Sequence, residues 1–172
     1  TAEILCALEI MSNIPEAEIL PITADLSDEG RLAIGGCDVR ELVEEYGSPL
    51  YIYDEATLRS ICRDFVRSFT SEYPNTHIEY SSKAFANPAV SKIVEEEGLD
   101  MDVVTGGELA VAIAANFPAE RLNFHGNNKG REELAEAIRY GIGMITLDSF
   151  AEIDLLNDVA AELGVEQQVM LR

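Results

Sequence analysis

Apolar residues at Leu58, Ile61, Cys62, Phe65 and Phe69 recur at the three- and four-residue spacing of one helix face, while Arg59, Arg63 and Arg67 fall elsewhere. They predict a helix, with Asp54 placed to cap it. Upstream, a short apolar stretch from Leu32 leads to Gly35-Gly36, Asp38 to Tyr46 reads as a helix ended by Gly47, and Pro49 to Asp54 reads as a strand. Beyond Tyr73-Pro74 a rhythm begins, with strands predicted at 77–82, 101–104, 122–125, 143–147 and 166–171. Helices at about 88–97, 106–115, 130–139 and 149–163 fill the gaps.

This alternation predicts parallel β/α packing. Two closed architectures begin this way: a complete five-stranded doubly wound sheet, or a (β/α)8 barrel of which these are the first five strands. Periodicity alone does not choose between them. The chain stops at Val169-Met-Leu-Arg172, inside an apolar strand, which favours the incomplete barrel. The expected organisation is an N-terminal extension over 1–30, a lead-in strand and helix over 31–74 and a partial barrel over 75–172. Residues 1–30, with Pro15 and Pro21, show no sustained periodicity, and a start at Thr1 reads as truncated or processed.

Composition narrows the function classes. Thirty-two acidic residues against 12 basic ones give a formal charge of -20, which repels a nucleic-acid backbone. The acids read as solvated surface spread over helix faces, and scarce lysine among them is also compatible with a high-salt habitat. Cys6, Cys37 and Cys62 are odd in number and lack C-x-x-C spacing, which argues against a disulfide framework or zinc cluster and suits a cytoplasmic setting. No apolar run reaches bilayer-spanning length, and Ile4 to Met11 is short and interrupted by Glu9, so neither a membrane span nor a secretory signal is expected.

In parallel β/α proteins the ligand face lies at the carboxyl ends of the strands. The residues there are polar: Lys83, then Asp102 and Thr105, then His125 and Asp148. A lysine so placed can form a Schiff base with an aldehyde cofactor, or can simply close a strand in solvent. Thr105-Gly-Gly-Glu108 offers amides to an anion, yet Thr-x-x-Glu is also capping-box spacing, which Ser149-Phe-Ala-Glu152 repeats. His125-Gly-Asn-Asn-Lys129 reads as a ligand-facing loop or as an ordinary turn. With two histidines and no metal-ligand spacing, metal binding has no support, and signatures for dinucleotides, nucleoside triphosphates and α/β-hydrolase catalysis are absent.

Taken together, Leu32-Ala-Ile-Gly-Gly-Cys-Asp38, Gly47-Ser-Pro-Leu-Tyr-Ile-Tyr-Asp54, Tyr80-Ser-Ser-Lys-Ala-Phe85, Asp102-Val-Val-Thr-Gly-Gly-Glu-Leu109 and Phe124-His-Gly-Asn-Asn-Lys129 resemble the diaminopimelate decarboxylase family. The resemblance runs from about Leu20 to Arg172, and the last motif separates this family from ornithine and arginine decarboxylases. It implies an alanine-racemase-like, TIM-like barrel whose first strand bears Lys83, and a C-terminal β-domain that the segment around Tyr51 would join. It implies pyridoxal 5'-phosphate as cofactor, with Lys83 catalytic and cofactor-bearing, and Asp102, Thr105, Glu108 and His125 near the cofactor. The implied reaction is decarboxylation of meso-2,6-diaminopimelate to L-lysine by a homodimer, with phosphate- and substrate-binding residues beyond Arg172. The chain alone is therefore expected to be inactive. Two alternatives stand beside this: a decarboxylase of another basic amino acid on the same fold, and a non-catalytic five-stranded α/β ligand- or partner-binding module.

Overall fold

The computed structural model describes residues 19–27 and 29–172, so the expectations for 1–18 lie outside the described residues. Two compact units divide between Ile61 and Cys62.

In the first unit, β1 (Asp25–Leu26), β2 (Leu32–Ile34) and β3 (Cys37–Asp38) form an antiparallel sheet in that order. Ile34 pairs with Cys37 across Gly35 and Gly36, whose φ values of 60° and 78° are the left-handed pair that a two-residue hairpin needs. Asp38 then caps α1 (Val39–Tyr46), accepting from Arg40 N at 2.8 Å, and its other oxygen pairs with Arg31 Nε at 2.7 Å. The strand expected at Pro49–Asp54 is not formed. Alternation there is real, but no described strand lies beside it to complete a ladder, and Tyr51 is 85% exposed. Asp54 does cap α2 (Glu55–Glu72), accepting from Thr57 N at 3.0 Å and from its hydroxyl. That bond to Thr57 holds the Asp54 carboxyl below its ordinary pKa.

The second unit follows the expected rhythm. The strands are β4 (Glu79–Ser81), β5 (Asp100–Val103), β6 (Leu122–Phe124), β7 (Met144–Leu147) and β8 (Val169–Leu171). Between them lie α3 (Pro88–Glu96), α4 (Gly106–Ala114), α5 (Arg131–Tyr140) and α6 (Phe150–Leu163). All pairings are parallel, in the order β4-β5-β6-β7-β8.

That order separates the two architectures left open by periodicity. A doubly wound sheet reverses direction and puts helices on both faces, whereas an unbroken sequence of right-handed crossovers keeps every helix on one face. The sheet is singly wound, as the first five strands of a β/α barrel are. Alternation along each strand shows the consequence. Met101, Val103, Leu122, Phe124, Ile145 and Leu147 point into an apolar core shared with Val94, Leu109, Leu134, Ile138 and Leu156 of the helices. Glu79, Ser81, Asp100, Asp102, Asn123 and Thr146 occupy the alternate positions, and their side-chain bonds join Glu79 to Asn123, Asn123 to Thr146 and Ser81 to Asp102.

One backbone approach fixes where β7 begins. A Cβ on Gly143 would lie 2.2 Å from the carbonyl oxygen of Glu120, while Gly143 N donates to Ala119 O at 2.9 Å. The one-turn helix at Ala119–Arg121, just before β6, thus lies against the backbone that enters β7.

Candidate functional site

β4 does not run to Lys83. It ends at Ser81 and passes into a single 3-10 turn, Ser82–Ala84, that carries the lysine. Ser82 is buried, and its Oγ donates to Glu108 Oε2 at 2.7 Å, which ties the turn to the first turn of α4. Of the three lysines, Lys92 pairs with Glu95 at 2.5 Å and Lys129 is buried in an ion pair with Glu152 at 2.8 Å. Lys83 is exposed, and its ammonium makes no hydrogen bond or ion pair among the described residues.

Asp102 stands beside Ser81 across the β4–β5 ladder, and its Oδ2 accepts from Ser81 Oγ at 3.2 Å. Its Oδ1 is buried without a hydrogen-bond partner among the described residues, an acceptor left open. Glu79, two residues before Ser81 on the same strand, has its carboxyl pKa raised by partial burial, against the lowering effect of the Asn123 amide; Asp102 and Asp100 add to the rise. His125 acts on the same carboxyl in the lowering direction.

Thr105 and Glu108 both take part in holding the β5–α4 turn. Thr105 Oγ1 accepts from Glu108 N at 3.2 Å, as the capping reading expects. The glutamate does not complete the box by reaching Thr105 N; it accepts instead from Val104 N at 2.8 Å and from Ser82. Ser149 and Glu152 repeat the arrangement, with Glu152 Oε2 accepting from Asp148 N at 2.6 Å. Glu133, at the corresponding place in α5, accepts from Gly130 N at 2.8 Å and reaches Gly106 N at 2.6 Å. Each of these glutamates therefore binds backbone at its own helix entry and a donor from the preceding β/α unit.

The five residues that the family resemblance implies at the cofactor, Lys83, Asp102, Thr105, Glu108 and His125, all fall at or just beyond the carboxyl halves of β4, β5 and β6. Lys129, grouped with His125 as ligand-facing, instead turns inward. Its ammonium donates to Gly126 O at 2.5 Å and Thr146 O at 2.7 Å. Sequence reasoning passed over Ser82, Asn123, Thr146 and Glu79; polar residues two apart, as in Glu79/Ser81 and Asn123/His125, were the available signal. No group of three or more metal-ligating side chains and no helix long and apolar enough to cross a membrane occur among the described residues.

An aldehyde cofactor needs an accessible amine, and a bound amino group needs an acceptor. Lys83 supplies such an amine at the carboxyl end of the sheet, near the buried and unpartnered Oδ1 of Asp102, so the residues present fit a pyridoxal group. Comparison with known proteins agrees. The family described as pyridoxal-dependent decarboxylase, pyridoxal binding domain, matches residues 58–172. The chain is 49% identical over 150 residues to diaminopimelate decarboxylase of Bacillus subtilis, covering 87% of this chain and 34% of that protein. It is 42% identical to the Synechocystis enzyme of the same name, covering 92% of this chain and 35% of that one. Among solved structures, diaminopimelate decarboxylase of M. jannaschii in complex with L-lysine superposes with a TM-score of 0.78 at 34% identity, over 88% of this chain and 36% of that chain. The chain thus spans about a third of the length of the relatives it matches. With that family matched across the whole parallel sheet and most of the helix before it, the chain belongs to the pyridoxal-dependent decarboxylases.

Proposed function

We propose that this chain is the cofactor-bearing part of a decarboxylase that converts meso-2,6-diaminopimelate to L-lysine and carbon dioxide, with pyridoxal 5'-phosphate held at Lys83. The observation that carries the reading is the isolation of the Lys83 ammonium: of three lysines, two are committed to carboxylates, and Lys83, at the carboxyl end of the sheet, has no partner among the described residues. The names of the relatives support the substrate, as does the lysine in the M. jannaschii complex, because lysine is what diaminopimelate becomes when one carboxylate is replaced by hydrogen.

Pyridoxal phosphate, when bound, supplies an aldehyde for an amine to hold and a ring that accepts the electron pair left behind as carbon dioxide departs. The chain's own residues supply placement. Lys83 would hold the cofactor through its amine. Asp102, whose Oδ1 is buried without a hydrogen-bond partner among the described residues, places a carboxylate near the cofactor at the same end of the sheet. Glu108 fixes Ser82 and so the turn that carries Lys83, Thr105 caps the neighbouring helix, and His125 supplies an imidazole ring at the end of the next strand. Residues 75–172 form the first part of the cofactor barrel, with 31–74 as its lead-in and 1–30 as an extension. The full-length protein acts in the cytoplasm as a homodimer. The chain alone is inactive, because the phosphate and the second carboxylate of the substrate need cations, while Lys92, Lys129 and the strand-end Arg172 are each paired with a carboxylate of the chain itself.

The test uses the full-length protein. Borohydride reduction in the presence of pyridoxal phosphate labels Lys83, Lys83→Ala abolishes the label, and carbon dioxide is released from meso-2,6-diaminopimelate. Label on another residue overturns the site, and release from ornithine or arginine instead overturns the substrate. The isolated chain is expected not to hold the cofactor, and stoichiometric label on Lys83 in residues 1–172 alone overturns that expectation.

A further inference from the structure

Lys129 lies in the His-Gly-Asn-Asn-Lys loop at the ligand end of the sheet, and the proposed function gives it no part. Its side chain is 0% exposed and its ammonium sits 2.8 Å from Glu152 Oε1. Two further contacts go to backbone carbonyls: Gly126, in its own loop, at 2.5 Å, and Thr146, in β7, at 2.7 Å. Phe124 covers the ammonium with its ring centroid 5.8 Å away. An ammonium has three donors; two go to these carbonyls, the charge is paired with Glu152, and with the side chain wholly buried no phosphate or substrate carboxylate reaches it. Glu152 Oε2, in turn, accepts from Asp148 N at 2.6 Å.

One buried pair therefore holds backbone groups from two neighbouring strand ends. On one side is the turn after β6, which places His125 and the exposed Asn127 and Asn128; on the other are the last residue but one of β7 and the first residue after it. We infer that Lys129 and Glu152 are positioning residues that set the His125–Asn128 loop relative to the end of β7, and that Lys129 does not touch cofactor or substrate. The inference rests on the proposed function for what the loop serves. A shift of about 1 Å in such a loop costs on the order of a hundredfold where orientation matters.

Three variants of the full-length protein test it: Glu152→Gln, Lys129→Met, and the apolar pair Lys129→Met/Glu152→Leu. The apolar pair removes both charges together, so it folds where Lys129→Met, with a carboxylate left buried and unpaired, is destabilised. Pyridoxal phosphate binding to the apoprotein is measured by spectral titration, with amide hydrogen exchange over residues 125–148 as an independent readout. Glu152→Gln and the apolar pair are expected to weaken binding roughly 10- to 100-fold. Both also speed exchange at Asp148 N–H, while the apolar pair keeps a melting temperature near that of the parent protein. Binding by the apolar pair equal to the parent protein overturns the inference and leaves the ion pair a role in stability alone. Normal binding by Glu152→Gln beside weak binding by the apolar pair also overturns it, because Lys129 would then be contacting the ligand. If the parent protein itself fails to take up pyridoxal phosphate, the proposed function fails, while hydrogen exchange still reads whether the pair holds the loop.

Discussion

Ser82 Oγ donates to Glu108 Oε2 at 2.7 Å, so the residue beside Lys83 is anchored to a helix that begins after the neighbouring strand. Glu108 also accepts from Val104 N, and replacing it by alanine leaves a buried hydroxyl and a backbone N–H without their acceptor. The expected loss is about 1–3 kcal/mol of stability in Glu108→Ala, read by denaturant unfolding. Ser82→Ala, which leaves the Val104 bond intact, should cost less. Equal losses in the two would mean that the Val104 bond contributes nothing.

Thr105 carries both a structural and a proposed cofactor-side role, and two substitutions separate them. Thr105→Ala removes the acceptor for Glu108 N and should cost about 1 kcal/mol, whereas Thr105→Ser keeps it and should cost little. If cofactor retention falls in Thr105→Ala by more than this stability loss explains, and returns in Thr105→Ser, the hydroxyl also serves the cofactor.

How far the sequence reveals these relationships depends on how local each one is. Thr105, Ser149, Asp38 and Asp54 announce helix starts because a cap and the amides it accepts from lie within three residues. The strands of the second unit are legible for a similar reason, since alternation or an apolar run reports which sides are covered. Pro49–Asp54 has a comparable pattern without a partner strand, and a pattern cannot become a ladder by itself. Strand order leaves no local trace, so periodicity alone does not separate a doubly wound sheet from a barrel; the family motifs point to the barrel, and the strand order agrees with them. Neither the ligand-facing reading of the His125–Lys129 loop nor the ordinary-turn reading buries Lys129, because its burial depends on Glu152, which lies in the next β/α unit.

Stability should depend on Glu79 in a defined direction with pH. Partial burial raises its carboxyl pKa above the ordinary 4.5, so the folded state holds the proton more tightly than the unfolded chain does. The contribution favours folding below 4.5 and is lost as pH rises through the raised folded value. Glu79→Gln keeps an acceptor for the Asn123 amide and removes the charge. Unfolding curves across this range should show the variant gaining on the parent protein as pH increases; a constant difference would exclude Glu79 as the source.

Gly143→Ala tests the close approach at the start of β7. Its new methyl group would meet the Glu120 carbonyl at 2.2 Å, so the backbone of either the turn or the strand must move. A loss of about 1–3 kcal/mol in thermal unfolding is expected. A neutral substitution would show that the two segments separate without cost.

The glutamates at the helix entries of α4, α5 and α6 each reach toward the amino-terminal side of the chain, to Ser82, Gly106 and Lys129. The first two of these links span 26 and 27 residues, short separations for contacts that join parallel strands. Every fastening needs only material already made when its glutamate leaves the ribosome. A sheet clasped in this direction can be assembled as it is synthesised, one β/α unit at a time, without waiting for a distant segment to arrive.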